Sequence, residues 1–228
     1  GGRLKFWPFE TKRSVAVLGA GGHAKSVIAA LRLSCRSRRI LLFDDNPELQ
    51  GKQVMGVPVV DLISNLSQLL VWDLRLDAFV IGIGGNLARR EDLYWWMQRT
   101  DGLSKPLTVV DPTAVWYDDY IGSGTVILAG AYIGPGARVE ENCIINTGAI
   151  VEHDCEVGRG SHIAPGAVLL GGASVGTQVL VGANATILPG IRVGNYSTVG
   201  AGAVVDQDVP NGQTWAGVPA RRLDHGRA

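Results

Sequence analysis

The chain has 228 residues, 21 basic and 21 acidic side chains, no formal net charge, and 46% hydrophobic residues. That is enough for one large or two modest domains with a core, while a neutral, scattered charge excludes the basic face that nucleic-acid binding needs. No apolar run is long enough to span a bilayer, no signal peptide is expected, and the three cysteines, Cys35, Cys143 and Cys155, read as reduced thiols of a cytoplasmic protein rather than a disulfide framework.

Residues 1–13 (GGRLKFWPFETKR) mix basic and aromatic groups. They read as a linker or processing remnant, or as a connection to a membrane-associated partner, since such segments favour an interface. Residues 14–111 are expected to form a Rossmann-like α/β unit. Ser14–Leu18 (SVAVL) is a buried strand; Gly19-Ala20-Gly21-Gly22-His23 follows; a helix starts near Ala24 and runs to about Leu33. Arg39–Phe43 is a second strand, ending at Asp44-Asp45, and Asp61 is placed to cap a helix through Leu70. Asp77–Ile83 is a third strand, ending at Gly84-Gly85-Asn86; a helix over about Leu87–Arg99 and a last strand over Lys105–Val110 complete the unit. Strands alternating with helices predict a small parallel sheet, and in such sheets ligands sit beyond the carboxyl ends of strands, where these loops lie. Gly19-x-Gly21-x-x-Ala24 opening a helix fits a dinucleotide fingerprint, with Asp44 near the position of a ribose-binding acid. Physically, it places backbone N–H groups and a helix N-terminus near a phosphate; NAD, a nucleoside diphosphate and a plain tight turn all remain open on this motif.

Residues 112–228 carry a different signal. An aliphatic residue recurs at every sixth position from Val115 through Ile121, Ile127, Ile133 and onward to Val205, and a mostly small residue follows each by four. Gly often comes directly after the aliphatic residue, as at 122, 134, 158, 176, 182, 194 and 200, which suits a tight corner. The phase reads as unbroken. A period of six is neither helix nor plain strand; it is the hexapeptide signature of a parallel β-helix, whose rungs bury their inner faces only by stacking. Cys143 and Cys155 fall at inward positions on different faces of the prism.

Asn146, His153, Asp154 and His162 lie at neither inward position, so the core does not require them. His153-Asp154 sets an imidazole beside a carboxylate, an arrangement that fixes the tautomer and raises basicity above the free pKa of about 6.5, as a general base needs. His162 lies around a corner from His153, so the two either flank one groove or project differently. Zinc bound by three histidines is the competing reading, but the coil has only two, with His225 in the tail and His23 in the other domain. No metal is expected.

Taken together, VLGAGGHAKSVI, the FDD after the second strand, IGIGGN, NTGAIVEHDC and the closing AGVPAR resemble one acyltransferase family over nearly all of residues 14–223. It contains the sialic-acid O-acetyltransferases and the UDP-4-amino-sugar N-acetyltransferases of the bacillosamine pathway. The resemblance implies a left-handed β-helix, a homotrimer, and acetyl-CoA as co-substrate bound between subunits. It also implies a UDP-amino sugar as acceptor, and fusion to or association with a membrane-bound glycan-pathway enzyme. By position it makes His153 the general base, Asp154 the acid that raises its basicity, and Asn146 a polar active-site residue. His162, Ala183 and Ala201 become acetyl-CoA contacts, and Gly171 offers an amide to the thioester oxygen. Gly21, Gly22, His23, Asp44, Asp45 and Gly84 become UDP-sugar contacts, which favours UDP over NAD for the glycine loop. Family members often carry Glu where Asp154 stands. An O-acetyltransferase of sialic or related acids is the alternative reaction, and a non-enzymatic nucleotide-sensing trimeric scaffold is the alternative class.

Overall fold

The computed structural model describes residues 14–34, 39–68, 76–100, 105–117 and 120–223. The expectations for residues 1–13, Cys35, Leu70 and His225 lie outside the described residues.

The first unit is a six-stranded sheet. In chain order its strands are β1 (Ser14–Leu18), β2 (Arg39–Phe43), β3 (Gln53–Val54), β4 (Val57–Asp61), β5 (Ala78–Ile81) and β6 (Lys105–Pro106), and the spatial order is β3-β4-β2-β1-β5-β6. All neighbours are parallel except the β3–β4 hairpin. β1 is buried along its whole length, as a central strand covered on both faces must be. Helix α1 (Gly22–Ser34) covers one face with Ala24, Val27, Ile28 and Leu31. Helix α2 (Leu87–Thr100) covers the other with Leu93, Tyr94 and Met97.

Several local expectations are corrected. α1 begins at Gly22, so His23 belongs to its first turn. The third strand is shorter, ending at Ile81. The helix expected after Asp61 starts later: the Asp61 carboxylate accepts from Leu62 N–H at 2.7 Å and from the Asn65 amide at 2.9 Å, a 3-10 turn follows over Ile63–Asn65, and residues 66–68 are helical. The strand expected over Lys105–Val110 is two strands. Lys105–Pro106 pairs with β5, whereas Val109–Val110 pairs with Val126–Ile127 of the solenoid. Pro106 has no N–H to extend the first ladder, and the backbone changes sheets within four residues.

The solenoid is a three-faced parallel coil. Strands of two residues pair with those eighteen residues on, as in Ile144–Ile145 with His162–Ile163 and then Leu180–Val181. They build faces of six, four and eight strands. One core of Ile127, Ile133, Val139, Ile145 and their successors, with the small residues between them, runs the length of the prism. Each fully buried aliphatic side chain contributes about 1.5–3 kcal/mol, so the coil is stabilised rung by rung. Val109, Val126 and Leu128 of the first coil also pack into the α1 core. The two units therefore share apolar contacts.

The phase is not unbroken. Ile133 pairs with Trp116 and Tyr132 with Val115, so the pairing register before Ile121 falls one residue later than expected, and both Val115 and Trp116 are exposed. The role of the glycines also differs from expectation. The left-handed residue of each turn comes three after the aliphatic one, at Gly124, Gly130, Gly136, Asn142, Gly148, Asp154, Gly160 and onward, with φ near +60°. The glycines directly after the aliphatic residue have ordinary φ; they are needed because a Cβ would strike the next coil. At Gly158 it would lie 2.5 Å from the Gly176 carbonyl carbon. Beyond Val205 the coil tightens: Trp215 pairs with Val199, and Thr214–Ala216 forms an antiparallel hairpin with Arg221–Arg222.

Candidate active site

His153 and Asp154 occupy the corner between the six-stranded and four-stranded faces, in the turn between Ile150–Val151 and Glu156–Val157. Asp154 is the left-handed residue of that turn, φ 59°, a conformation Asp tolerates because its short side chain bonds locally. Its Oδ2 lies 2.9 Å from His153 Nδ1. Both side chains are well exposed, at 63% and 72%, so the ring is open to a second molecule. The hydrogen bond to Asp154 holds the His153 pKa above its ordinary value.

Glycines make the seat. A Cβ on Gly136 would lie 2.5 Å from Asp154 Oδ1, and one on Gly171, a coil above, would lie 2.5 Å from both Cε1 and Nε2 of His153. Gly172 N–H donates to the His153 carbonyl at 2.9 Å. Among the described residues the Gly171 N–H has no acceptor, and it belongs to the coil stacked directly on that of His153.

Asn146 lies on a different edge, between the eight-stranded and six-stranded faces. The stacking bonds Gly166 N–H to Thr147 O and Gly202 N–H to Ala183 O put Ala183 and Ala201 above it on the same edge. His162, expected at the surface, is buried at 9% exposure. Its Nδ1 lies 3.0 Å from the Gly84 carbonyl and its Nε2 2.9 Å from Asn146 Nδ2, so the ring bridges the α/β unit and the solenoid. Burial is the main reason its pKa falls to about 4. His153 and His162 thus project from different parts of the prism.

The remaining predicted residues follow the carboxyl ends of β1, β2 and β5. The Ala20 N–H donates to Asp44 Oδ2 at 2.7 Å, tying the glycine loop to the end of β2. Gly19, φ 104°, admits no side chain, since a Cβ would meet Ile83 at 2.7 Å. Gly21 and Gly22 are exposed at the start of α1. Asp45 pairs with Arg89 at 2.8 Å and accepts from Ser64 N–H. The His23 ring packs against Gly84 and lies 6.4 Å, centroid to centroid, from His162; burial, then Arg90, lowers its pKa to about 3.

Sequence reasoning missed Arg90, Glu91 and Asn142. Arg90 and Asn142 are fully buried at the seam, and Glu91 is buried beside them. Arg90 recurs with Leu93, Tyr94 and Met97 on the inner face of α2, a spacing that marks it as inward despite its charge. Burial pushes the Cys143 and Cys155 thiols up to about 12 and about 11, which leaves them protonated core residues. A cavity of about 310 Å³ on the four-stranded face, lined by Arg138, Glu140, Glu156, Gly158, Gly176 and Asn195 among others, contains none of the predicted site residues. Among the described residues no three His, Cys, Asp or Glu side chains converge as metal ligands, and no helix is long and apolar enough to cross a membrane.

Residues 14–94 match the PglD N-terminal domain, and residues 136–171 and 172–207 match the bacterial transferase hexapeptide model of six repeats. A mutant of perosamine N-acetyltransferase from Caulobacter crescentus, solved with CoA and GDP-perosamine, is 33% identical, with 92% of this chain and 97% of that one covered and a TM-score of 0.85. The chain belongs to the PglD-type sugar N-acetyltransferases of the hexapeptide family. The left hand of the coil comes with that membership. The acetyltransferase domain of PglB from Neisseria gonorrhoeae, solved with acetyl coenzyme A, is 32% identical over 93% of this chain and all of that one, with a TM-score of 0.83. WeeI from Acinetobacter baumannii is 27% identical over 92% of this chain and all of that one, with a TM-score of 0.80. No curated protein matches.

Proposed function

We propose that this protein transfers the acetyl group of acetyl-CoA to the amino group of a nucleotide-linked amino sugar, the narrower reading being the 4-amino group of a UDP-linked deoxy sugar, as in bacillosamine synthesis. The nucleotide belongs at Gly21, Gly22, Asp44 and Asp45, beyond the carboxyl ends of β1 and β2. His23 and Gly84 then face the sugar. Acetyl-CoA lies along the solenoid between His162, Ala183 and Ala201 on one side and His153 and Gly171 on the other.

The observation that carries this reading is the division of the site. His153 and Gly171 stand on one edge of the prism, while Asn146, His162, Ala183 and Ala201 stand on or beside another, with the six-stranded face between them. That face presents an outward column of Tyr132, Ile150, Val168, Thr186 and Val204, whereas the four-stranded face presents Arg138, Glu156, Ser174 and Arg192. An apolar face bounded by both half-sites fits packing against further copies of the chain, and three copies close a ring in which each interface assembles one site.

In the reaction the neutral amine attacks the thioester carbonyl carbon. Asp154 holds the proton on His153 Nδ1, so Nε2 takes the proton that the amine loses. The Gly171 N–H donates to the oxyanion, an interaction worth about 3 kcal/mol. Collapse forms the amide and expels the CoA thiolate, which recovers its proton from His153. Base catalysis of this kind contributes about 10²–10⁴-fold, and no acyl-enzyme is required of the buried cysteines.

The Caulobacter relative, solved with a GDP-linked sugar, supports a second reading in which guanosine replaces uridine. Thiol release from acetyl-CoA, measured with UDP- and GDP-linked 4-amino sugars in parallel, tests both. Release with neither acceptor, and with no free sialic acid, contradicts the transfer itself.

A further inference from the structure

Arg90 is completely buried and spans the two units. Its Nη1 donates to the carbonyls of Ile81 at 3.0 Å and Ile83 at 2.6 Å; its Nη2 donates to the carbonyl and side-chain oxygen of Asn142, both at 3.0 Å. Among the described residues these partners are all neutral. The neighbouring Glu91 pairs with Arg159 at 2.6 Å, accepts from the Trp95 indole at 2.8 Å and accepts from the Asn142 amide at 3.3 Å, so the Asn142 side chain links it to Arg90. A guanidinium hydrogen-bonded only to neutral groups is costly to bury, and here it sits where strand β5 gives way to the Gly84 loop.

We propose that Arg90 is a positioning residue, which through the Ile81 and Ile83 carbonyls fixes the Gly84 carbonyl and thereby the tautomer of His162 and the amide of Asn146. A carbonyl only accepts, so the Gly84 oxygen requires hydrogen on His162 Nδ1. The ring is neutral because burial, reinforced by the Arg90 charge, disfavours its cation. A neutral ring with hydrogen on Nδ1 has a bare Nε2, which accepts from Asn146 Nδ2 at 2.9 Å. Asn146 Oδ1 in turn accepts from Thr147 N–H at 2.8 Å. The amide is thus oriented from both ends, and its second N–H is left for the bound molecules. Arg90 fits this task better than Lys because a planar fork reaches carbonyls on two elements at once.

Only the kinetic consequence of this inference rests on the acetyl-transfer reading. Long-range ¹H–¹⁵N spectra of the histidine-labelled protein, taken at neutral pH, read the tautomer directly. His162 is expected with hydrogen on Nδ1 and none on Nε2; hydrogen on Nε2 alone overturns the proposal without any variant. In Arg90→Met the His162 signals are expected to move to mixed tautomers or to the cation. Turnover should fall about 10–100-fold, with Arg90→Lys recovering part of both. A folded Arg90→Met protein with unchanged His162 signals contradicts the relay. Changed signals with no acetyl transfer by the wild type would leave the relay standing and remove the reaction.

Discussion

Asp154 Oδ2 reaches His153 Nδ1 at 2.9 Å although the two residues are consecutive, because the left-handed backbone of Asp154 turns its side chain back over Gly136. The acid supports the imidazole from within its own turn. The bond raises the His153 pKa, so the free-base fraction grows as pH rises through that raised value. Asp154→Asn keeps an acceptor for Nδ1–H but removes the charge. The rising limb of kcat/KM against pH should move to lower pH, and the plateau should fall about tenfold. A limb that stays in place contradicts the role of Asp154.

Gly171→Ala places a Cβ 2.5 Å from the edge of the His153 ring that carries Nε2. The ring is exposed and free to swing, so the fold survives while the base is displaced. Turnover should drop about 100-fold with the melting temperature nearly unchanged. Full activity with His153 in its original rotamer would show that the close approach is dispensable.

If each site takes His153 from one copy and Asn146 from the next, two inactive variants should rescue each other. His153→Ala and Asn146→Ala proteins, dissociated, mixed and reassembled, are expected to regain activity at about one site in four. Mixing that restores nothing, with mixed assemblies confirmed by mass spectrometry, contradicts the shared site. Ile150→Asp, on the apolar outward column, should shift sedimentation towards the single chain and abolish turnover with it.

Gly158→Ala tests the coil. Its Cβ would sit 2.5 Å from the Gly176 backbone, where no flexible side chain can yield. The substitution should destabilise the protein by about 1–3 kcal/mol or more, read as a lowered denaturation midpoint. Gly148→Ala has open space but a φ of 63°, so its cost should be smaller, about 1 kcal/mol. Equal costs would mean that stacking does not set the glycine positions.

The solenoid was legible because its period is its mechanism: each inward Ile or Val is both a sequence mark and a rung of the core. Where one residue drops out of phase, between Trp116 and Ile121, periodicity alone could not show which strand would pair with which. The His153-Asp154 pair was legible because both partners are adjacent in the chain. His162 looked like any outward histidine, since what buries it is the Gly84 loop, 78 residues earlier. Arg90 carried a charge that argued for the surface, and only its spacing with Leu93, Tyr94 and Met97 placed it inside. Contacts between the two units leave little local trace.

The most direct test compares steady-state acetyl transfer by wild type and His153→Ala across neutral pH, with binding of both substrates measured alongside. Loss of about 10²–10⁴-fold in kcat, with assembly and both affinities nearly intact, is the expected result. Turnover within about twofold of wild type would mean that another group takes the proton.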